Sequence, residues 1–599
     1  MTSSLYAVPA ALNADAYKSG HKAQYPEGMT AIMQNMTPRS DKYFDTPLTK
    51  DGVIFFGLQR FCKDYLVDHW NASFFNRPKD EAVSEALMIM NGMIMGAPVQ
   101  REHWEALHDL GYLPVAVDAL PEGTLVPMKV PMFTFQNTNF QFAWVAGYLE
   151  DAFSNENWKA TTIATIAFHY KRILTKWADK NCDDRSHIPY QAHDFSLRGL
   201  SGMNDGAFNS MGHLTSFMGT DNFAAVYTAK RTYAQSMEVN EIACTIAATE
   251  HTVMCANIAL ERHGLSSNTL SEDELLAIAE TKTMNHLLTE VYPTGFLSVV
   301  GDTNDYWHTI GTKLANLRDI IVNRDGKLVV RPDSGIPYYV ICGYKAVEFE
   351  NAKALILRKM DVQRYGSITV ESIKQASALP SLASGFDILR QAGYELIVEG
   401  EDFDGANTLN LETSEIRWMT TEEINGSIRT FANLFGTTNN SKGFKVLPPY
   451  IGLIYGDSIT MKLADKILGR LDEMGFAASN VVFGVGSFTY QFITRDTFGF
   501  AVKGTACETS ELGYLPLAKD PITDRGLKKS AKGCTQVVAG LDGKPKLLDG
   551  LNFSEYEDVL WSDGVEVKSL LKPIFIDSRI LEQNFQTLKE IRDLVDSQL

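Results

Sequence analysis

KLVVRPDSG (327–335) is a short β-branched apolar run that stops at a polar loop bearing a glycine. FLSVVGD (296–302), YIGLIYGDS (450–458) and NVVFGVGS (480–487) have the same form. Short apolar runs bounded by turn signals read as strands buried on both faces. Helix-like stretches separate them: ELLAIAETKTMNHLLTEV, TKLANLRDIIVN and TMKLADKILGRLDEMG. This alternation predicts parallel βα units and an α/β fold. Ligands in such folds sit at the carboxyl ends of strands, so these polar strand-end loops imply one shared site.

Outward from these units the rhythm changes. Residues 340–427 interrupt it and read as an inserted subdomain, with a helix-like part (ESIKQASALPSLASGFDILRQAG) and strand-like parts (YELIVEG, EIRWMTT). Upstream, VIFFGLQRFCKDYLVDHW (53–70) has helical apolar spacing. TLVPMKVPMFTFQ (124–136) is β-rich but broken by prolines, which suits edge strands. AWVAGYLEDAF and TTIATIAFHYKRILTKWADK read as two helices. The tail after 505 carries hairpin-like turns (LDGKPKLL, SDGVEV) and ends in a polar helix.

The composition excludes several classes. With 599 residues the chain is too long for one core, and 45% apolar with 21% charged residues is ordinary for a globular protein. Lys and Arg number 55 against 73 Asp and Glu, a net charge of −18. Such a chain is a poor nucleic-acid binder, because phosphates must be neutralised by a local cation cluster. No apolar stretch is long enough for a membrane span, and no basic residue precedes Lys18, so neither a transmembrane helix nor a secretory signal is expected. The seven cysteines are odd in number and form no CxxC pair. Reduced thiols in a bacterial or phage-infected host cytoplasm, without structural zinc, are the expectation.

Several residues could carry chemistry. Arg331 offers a planar fork for phosphate or carboxylate, and Asp333 could hold a ribose hydroxyl or a metal; the plainer reading is a turn with a surface ion pair. The glycines of IYGDS and FGVGS could expose N–H groups to a phosphate. Neither motif is a P-loop or a GxGxxG fingerprint. His251, in AATEHTVMC, is either a satisfied core histidine or a proton carrier beside anions. In HDFSLRG, Phe195 could stack on a flat ring while Arg198 meets an anion, or the segment is an ordinary loop with a packed Phe. Asp221, in MGTDN, is either a helix N-cap or an acceptor for an amide that would repel a carboxylate. Tyr17, Lys18 and His21 near the N-terminus read by themselves as surface.

The order of these motifs is more specific than any one of them. DAYKSGHKAQYP, HDFSLRG, GTD, A-x-EHT, SVVGD, RPDSG, SKGFKVLPPY, YGDS, FGVGS and TRD together resemble the nicotinamide phosphoribosyltransferases, of the type II phosphoribosyltransferase family. The resemblance covers the chain except residues 340–427. It implies an irregular α/β barrel with a mixed α/β domain, assembled as a homodimer whose active sites lie at the interface. The implied division is an N-terminal mixed part (1–150), barrel parts at 151–339 and 428–505 flanking the inserted subdomain (340–427), and a C-terminal part (506–599) packing with the N-terminal domain. The implied reaction joins nicotinamide to phosphoribosyl pyrophosphate, giving nicotinamide mononucleotide and pyrophosphate for NAD salvage.

The resemblance also assigns residues. Arg198, His251 and Arg331 fall on the pyrophosphate side, and His251 matches the histidine phosphorylated when ATP hydrolysis is coupled. Phe195, and Tyr17 from the other subunit, would sandwich the nicotinamide ring. Asp221 would hold its carboxamide N–H. Ser298 and Arg331 with Ile246, Val329 and Ile454 would line its pocket. Asp333, Gly456 and Asp457 would meet the ribose and its phosphate, and Gly486 with Ser487 would form the phosphate loop, Ser487 standing where the family has glycine. Asp302 and Asp305 would lie near pyrophosphate and Mg²⁺, with Asp302 and Asp333 counted with His251 as catalytic. Arg495 and Lys503, and Lys528 at a spacing one residue different, would be cations supplied across the dimer. Rival readings are a nicotinate phosphoribosyltransferase, against which Asp221 argues by like charge, and a non-catalytic NAD-metabolite sensor.

Overall fold

The computed structural model describes residues 6–347, 394–399, 406–409, 416–456, 458–524, 529–557, 560–562 and 564–599. The chain forms two compact units. The first comprises residues 1–173, 193–244 and 485–599, the second 174–192 and 245–484.

In the first unit, a seven-stranded antiparallel sheet runs in the order Gly513–Pro516, Ala501–Thr509, Met29–Thr37, Phe133–Asn137, Val115–Ala119, Lys572–Ile576, Arg579–Ile580. Phe133 and Phe135 face its core, and Phe135 stacks on Phe153 at 4.0 Å between ring centroids. The edge-strand expectation for 124–136 fails for its second half. Phe133–Asn137 lies in the middle of the sheet, because Pro127 and Pro131 fall outside it and no ladder N–H is lost. The helical spacing of 53–70 holds only from Leu58. Val53–Ile54 is a strand, ended by Gly57 at φ +109°. Both expected tail hairpins form: Cys534–Ala539 pairs Pro545–Leu551, and Leu560–Ser562 pairs Val565–Val567. The closing helix Leu588–Ser597 begins with a Thr587–Glu590 capping box.

In the second unit the strands are parallel, in the order Ala247–Ala248, Thr294–Val300, Asp325–Arg331, Ile451–Tyr455, Val481–Val485. The four apolar runs that opened the sequence reading are thus neighbouring strands of one sheet, and their polar loops leave from the same edge. The α/β class and the parallel barrel half expected from the sequence are present. Leu297, Val299, Leu328, Val330, Leu453, Val481 and Phe483 are buried on one face and Ser298, Val300, Val329 and Ile454 on the other, as strands covered on both faces require. Helix Met461–Glu473 starts at a Thr460 N-cap and turns Ile467, Leu468 and Leu471 inward.

The inserted segment contributes a four-stranded sheet, Lys345–Val347, Tyr394–Glu399, Ala406–Leu409, Ile416–Met419, paired in chain order. The helix-like stretch within 371–393 lies outside the described residues. The two ends of the insertion meet. Tyr344 N–H donates to the Ile424 carbonyl at 2.9 Å. Gly343 and Gly426, both near φ +70°, pack backbone to backbone, and a Cβ on Gly426 would lie 2.1 Å from Gly343 N. The helical span Thr421–Phe435 that follows is kinked at Gly426, where the backbone leaves helical geometry.

Candidate active site

The candidate residues fall into two constellations, one in each unit. That of the first unit is built on strand Ala192–Asp194 and two turns. Asp194 N–H bonds the Gly219 carbonyl, and Asp221 N–H bonds the Asp194 carbonyl, at 3.0 and 3.1 Å. The Asp194 carboxylate accepts from Ser196 N–H and the Thr220 hydroxyl. His193 and Phe195, two residues apart, share one face. Their rings lie 4.6 Å apart, and His193 Nε2 is 2.9 Å from Asp221 Oδ1. Asp221 is not the cap of the helix that follows. Asn222 is, accepting from Ala225 N–H. The Asp221 side chain, 43% exposed, is instead held by His193 next to the Phe195 ring.

A second buried imidazole, that of His213, supports this loop. His213 Nε2 donates to the Gly219 carbonyl at 2.9 Å, and its Nδ1 accepts from Tyr490 Oη at 2.7 Å. Burial pushes its pKa down to about 4, which keeps the ring neutral and leaves Nδ1 the acceptor.

The Arg198 turn and the FGVGS loop touch. A Cβ on Gly199 would lie 2.5 Å from Ser487 Cβ, so the serine sits against a position where only glycine fits. Lys159 ties the same region, bonding Asp205 and Gln491 at 2.5 and 2.6 Å. Gly486 is buried, and Ser487 opens the short helix Ser487–Tyr490. Arg198 is exposed, and Arg495 lies 4.0 Å from the Asp496 carboxylate. Lys503 meets Glu150 at 3.0 Å, as does the buried Lys18. Burial alone would raise the Glu150 pKa, but Lys503 and Lys18 outweigh it and hold the carboxyl below its usual range. Tyr17 is 61% exposed and leans on His21, with Lys18 near its ring.

The constellation of the second unit gathers at the ends of its parallel strands. Asp302, its side chain 3% exposed, is the hub. Oδ1 lies 3.3 Å from His251 Nε2, and Oδ2 accepts from Asp333 N–H at 2.9 Å and the Ser334 hydroxyl at 2.6 Å. His251 is the first residue of helix His251–His263 and its side chain is 46% exposed, so it is no core histidine. Arg331 Nη2 donates to the Thr249 carbonyl at 3.2 Å. The YGDS loop approaches RPDSG closely. Gly456 N–H bonds the Pro332 carbonyl at 3.0 Å, and a Cβ on Gly456 would lie 1.9 Å from Asp333 Oδ1. Ala248, Ser298, Val329 and Gly452 are in register across four strands, with Ile454 two residues further on the same face. Asp305 caps the turn Tyr306–His308. Asp457 and Lys528 lie outside the described residues.

With this geometry established, similarity gives it a family. A model of the nicotinate phosphoribosyltransferase (NAPRTase) family matches residues 190–548, and a model of the nicotinamide phosphoribosyltransferase N-terminal domain matches residues 10–76. A nicotinamide phosphoribosyltransferase of Acinetobacter baylyi is 38% identical over 545 residues, covering 89% of each chain. The chain belongs to the nicotinamide phosphoribosyltransferases. Two further proteins of that name are more distant. One from Mycoplasma pneumoniae is 27% identical, covering 86% of this chain and 92% of its own. One from Xanthomonas campestris is 26% identical, covering 87% and 86%.

Among residues around the site of this phosphoribosyltransferase, His193 and Ser334 escaped the sequence reading. His193 had a signal, its two-residue offset from Phe195. Ser334 had none beyond its place in RPDSG, because its partner Asp302 is 32 residues away. No three His, Cys, Asp or Glu side chains converge as a metal cage among the described residues. Asp302 and Asp305, the two carboxylates expected beside a magnesium, lie on one loop, where Asp302 accepts from Asp333 N–H and the Ser334 hydroxyl and Asp305 accepts from His308 N–H.

Proposed function

We propose that this chain transfers the phosphoribosyl group of phosphoribosyl pyrophosphate to nicotinamide. The pyridine nitrogen's lone pair forms the new bond to ribose C1. The C1–oxygen bond breaks, and its electron pair leaves with pyrophosphate. No proton need move, so the protein's work is to position the base and stabilise separating charge. The first unit's residues suit the base: Phe195 offers a ring face, and Asp221 accepts the carboxamide N–H. The second unit's residues suit the donor: Arg331 and His251 face its phosphates, while Asp333 and Gly456 take the ribose side. Magnesium would neutralise charge on the leaving group beside Asp302 and Asp305.

The observation that carries the base assignment is Asp221, a half-exposed carboxylate held by His193 rather than spent as a cap. A nicotinate carboxylate would meet like charge there. Two finer readings complete the proposal. ATP passes its γ-phosphoryl group to the exposed ring of His251, releasing ADP, with Asp302 orienting the ring through Nε2. Two copies form a dimer in which Tyr17, Arg495 and Lys503 serve the partner's site. Labelled γ-phosphate that is absent from His251→Ala but trapped on the unaltered chain tests the first. A monomer by light scattering would sink the second. Side-by-side turnover of nicotinamide and nicotinate with Mg²⁺ tests the reaction itself.

A further inference from the structure

We propose that Thr249 is a positioning residue for Arg331, an inference that rests on the phosphoribosyl-transfer reading. In a regular parallel ladder, Thr249 would donate its N–H to the Ser298 carbonyl and accept from Val300 N–H on its own carbonyl. The first bond is present at 2.9 Å. The second is not made by the backbone. Val300 N–H donates instead to Thr249 Oγ1 at 3.0 Å, and the Thr249 carbonyl receives Arg331 Nη2 at 3.2 Å. The side chain has taken the carbonyl's place in the sheet and released that carbonyl to the guanidinium. Thr249 is 5% exposed, so neither bond is readily replaced by water. It also stands two residues before His251, at the end of strand Ala247–Ala248. One hydroxyl thus decides whether the Thr249 carbonyl belongs to the ladder or to the arginine that faces the donor's phosphates.

Thr249→Val keeps the shape and removes the acceptor. Val300 N–H then reclaims the carbonyl, and Arg331 loses this hydrogen bond while the sheet stays paired. The expected result is a KM for phosphoribosyl pyrophosphate raised about tenfold, with kcat within about threefold and an unchanged melting midpoint. Thr249→Ser, which keeps the hydroxyl, restores KM to within about twofold of the unaltered chain. A lowered midpoint and a reduced kcat with KM unchanged would mean a purely structural threonine and overturn the proposal. So would identical KM values for the Val and Ser variants. If Thr249→Val does not fold, Thr249→Ala against Thr249→Ser makes the same comparison. If the unaltered chain turns over neither base, the transfer reading fails first. Calorimetric binding of inorganic pyrophosphate then carries the test: about tenfold weaker binding by Thr249→Val supports the positioning role, and equal affinity overturns it.

Discussion

Gly456→Ala puts the account of the donor side to a quantitative test. The new Cβ would lie 1.9 Å from Asp333 Oδ1, whereas ordinary contact begins at 3.4 Å, so the carboxylate must retreat by about 1.5 Å. Asp333 is exposed, and its side chain can swing away without disturbing the core. The fold should therefore survive with a melting midpoint near that of the unaltered chain. A displacement of about 1 Å in a positioning group costs on the order of a hundredfold in rate, or about 2.7 kcal/mol of transition-state stabilisation. The assay is kcat/KM for the phosphoribosyl donor, measured for Gly456→Ala, Asp333→Ala and the double variant. If the damage runs through Asp333, adding Gly456→Ala to Asp333→Ala costs nothing more. Gly484→Ala provides the contrast. Its Cβ would lie 1.2 Å from the Gly456 carbonyl oxygen, a backbone atom that cannot swing aside. That variant should lose stability, because strands Ile451–Tyr455 and Val481–Val485 must part. Full activity in Gly456→Ala, or additive losses in the double variant, would refute the reasoning.

Three other outcomes follow from the same geometry. Asp302→Asn keeps an oxygen for Asp333 N–H and the Ser334 hydroxyl but loses its charge toward His251, so kcat/KM should fall about 10- to 100-fold with the melting midpoint held, while Asp302→Ala lowers both. Gly199→Ala should cost about 1–3 kcal/mol by chemical denaturation through its clash with Ser487, and adding Ser487→Gly should return most of it. His213, pushed down to about 4 by burial from its ordinary 6.5, gives stability that is complete above pH 6.5 and is lost as pH falls toward 4. The loss reaches about 3 kcal/mol, and urea melts of His213→Asn between pH 4.5 and 6 should show a slope shallower by about 1.4 kcal/mol per pH unit.

The strand-end loops were legible because their signal is local. An apolar run followed by Gly, Asp or Ser needs no knowledge of the rest of the chain, and FLSVVGD, KLVVRPDSG, YIGLIYGDS and NVVFGVGS became adjacent strands. What depended on partners far along the chain was not legible. Asp221 read equally as cap or ligand until Asn222 proved to be the cap and His193 the carboxylate's partner. His251 read as a core histidine or a proton carrier, because its neighbours are apolar, until it proved to be the first residue of its helix and to turn toward Asp302. Pro127 and Pro131 suggested edge strands, but a proline breaks a ladder only from inside it, and Phe133–Asn137 begins after both. Thr249 carried no signal at all, since a hydroxyl standing in for a carbonyl is visible only once the strands are paired.

The central claim is that the chain transfers phosphoribose to an amide-bearing pyridine and that Asp221 selects it. At about 4 Å, two carboxylates repel by about 1 kcal/mol in water and about 4 kcal/mol near a protein surface, and the half-exposed Asp221 falls between. Initial rates with phosphoribosyl pyrophosphate and Mg²⁺ should be measured on nicotinamide and nicotinate, for the unaltered chain and Asp221→Asn. The account expects nicotinamide to be preferred by at least about tenfold in kcat/KM, and the preference to shrink by about tenfold or more in the variant. Preference for nicotinate, or a preference for the amide that Asp221→Asn leaves untouched, would contradict it.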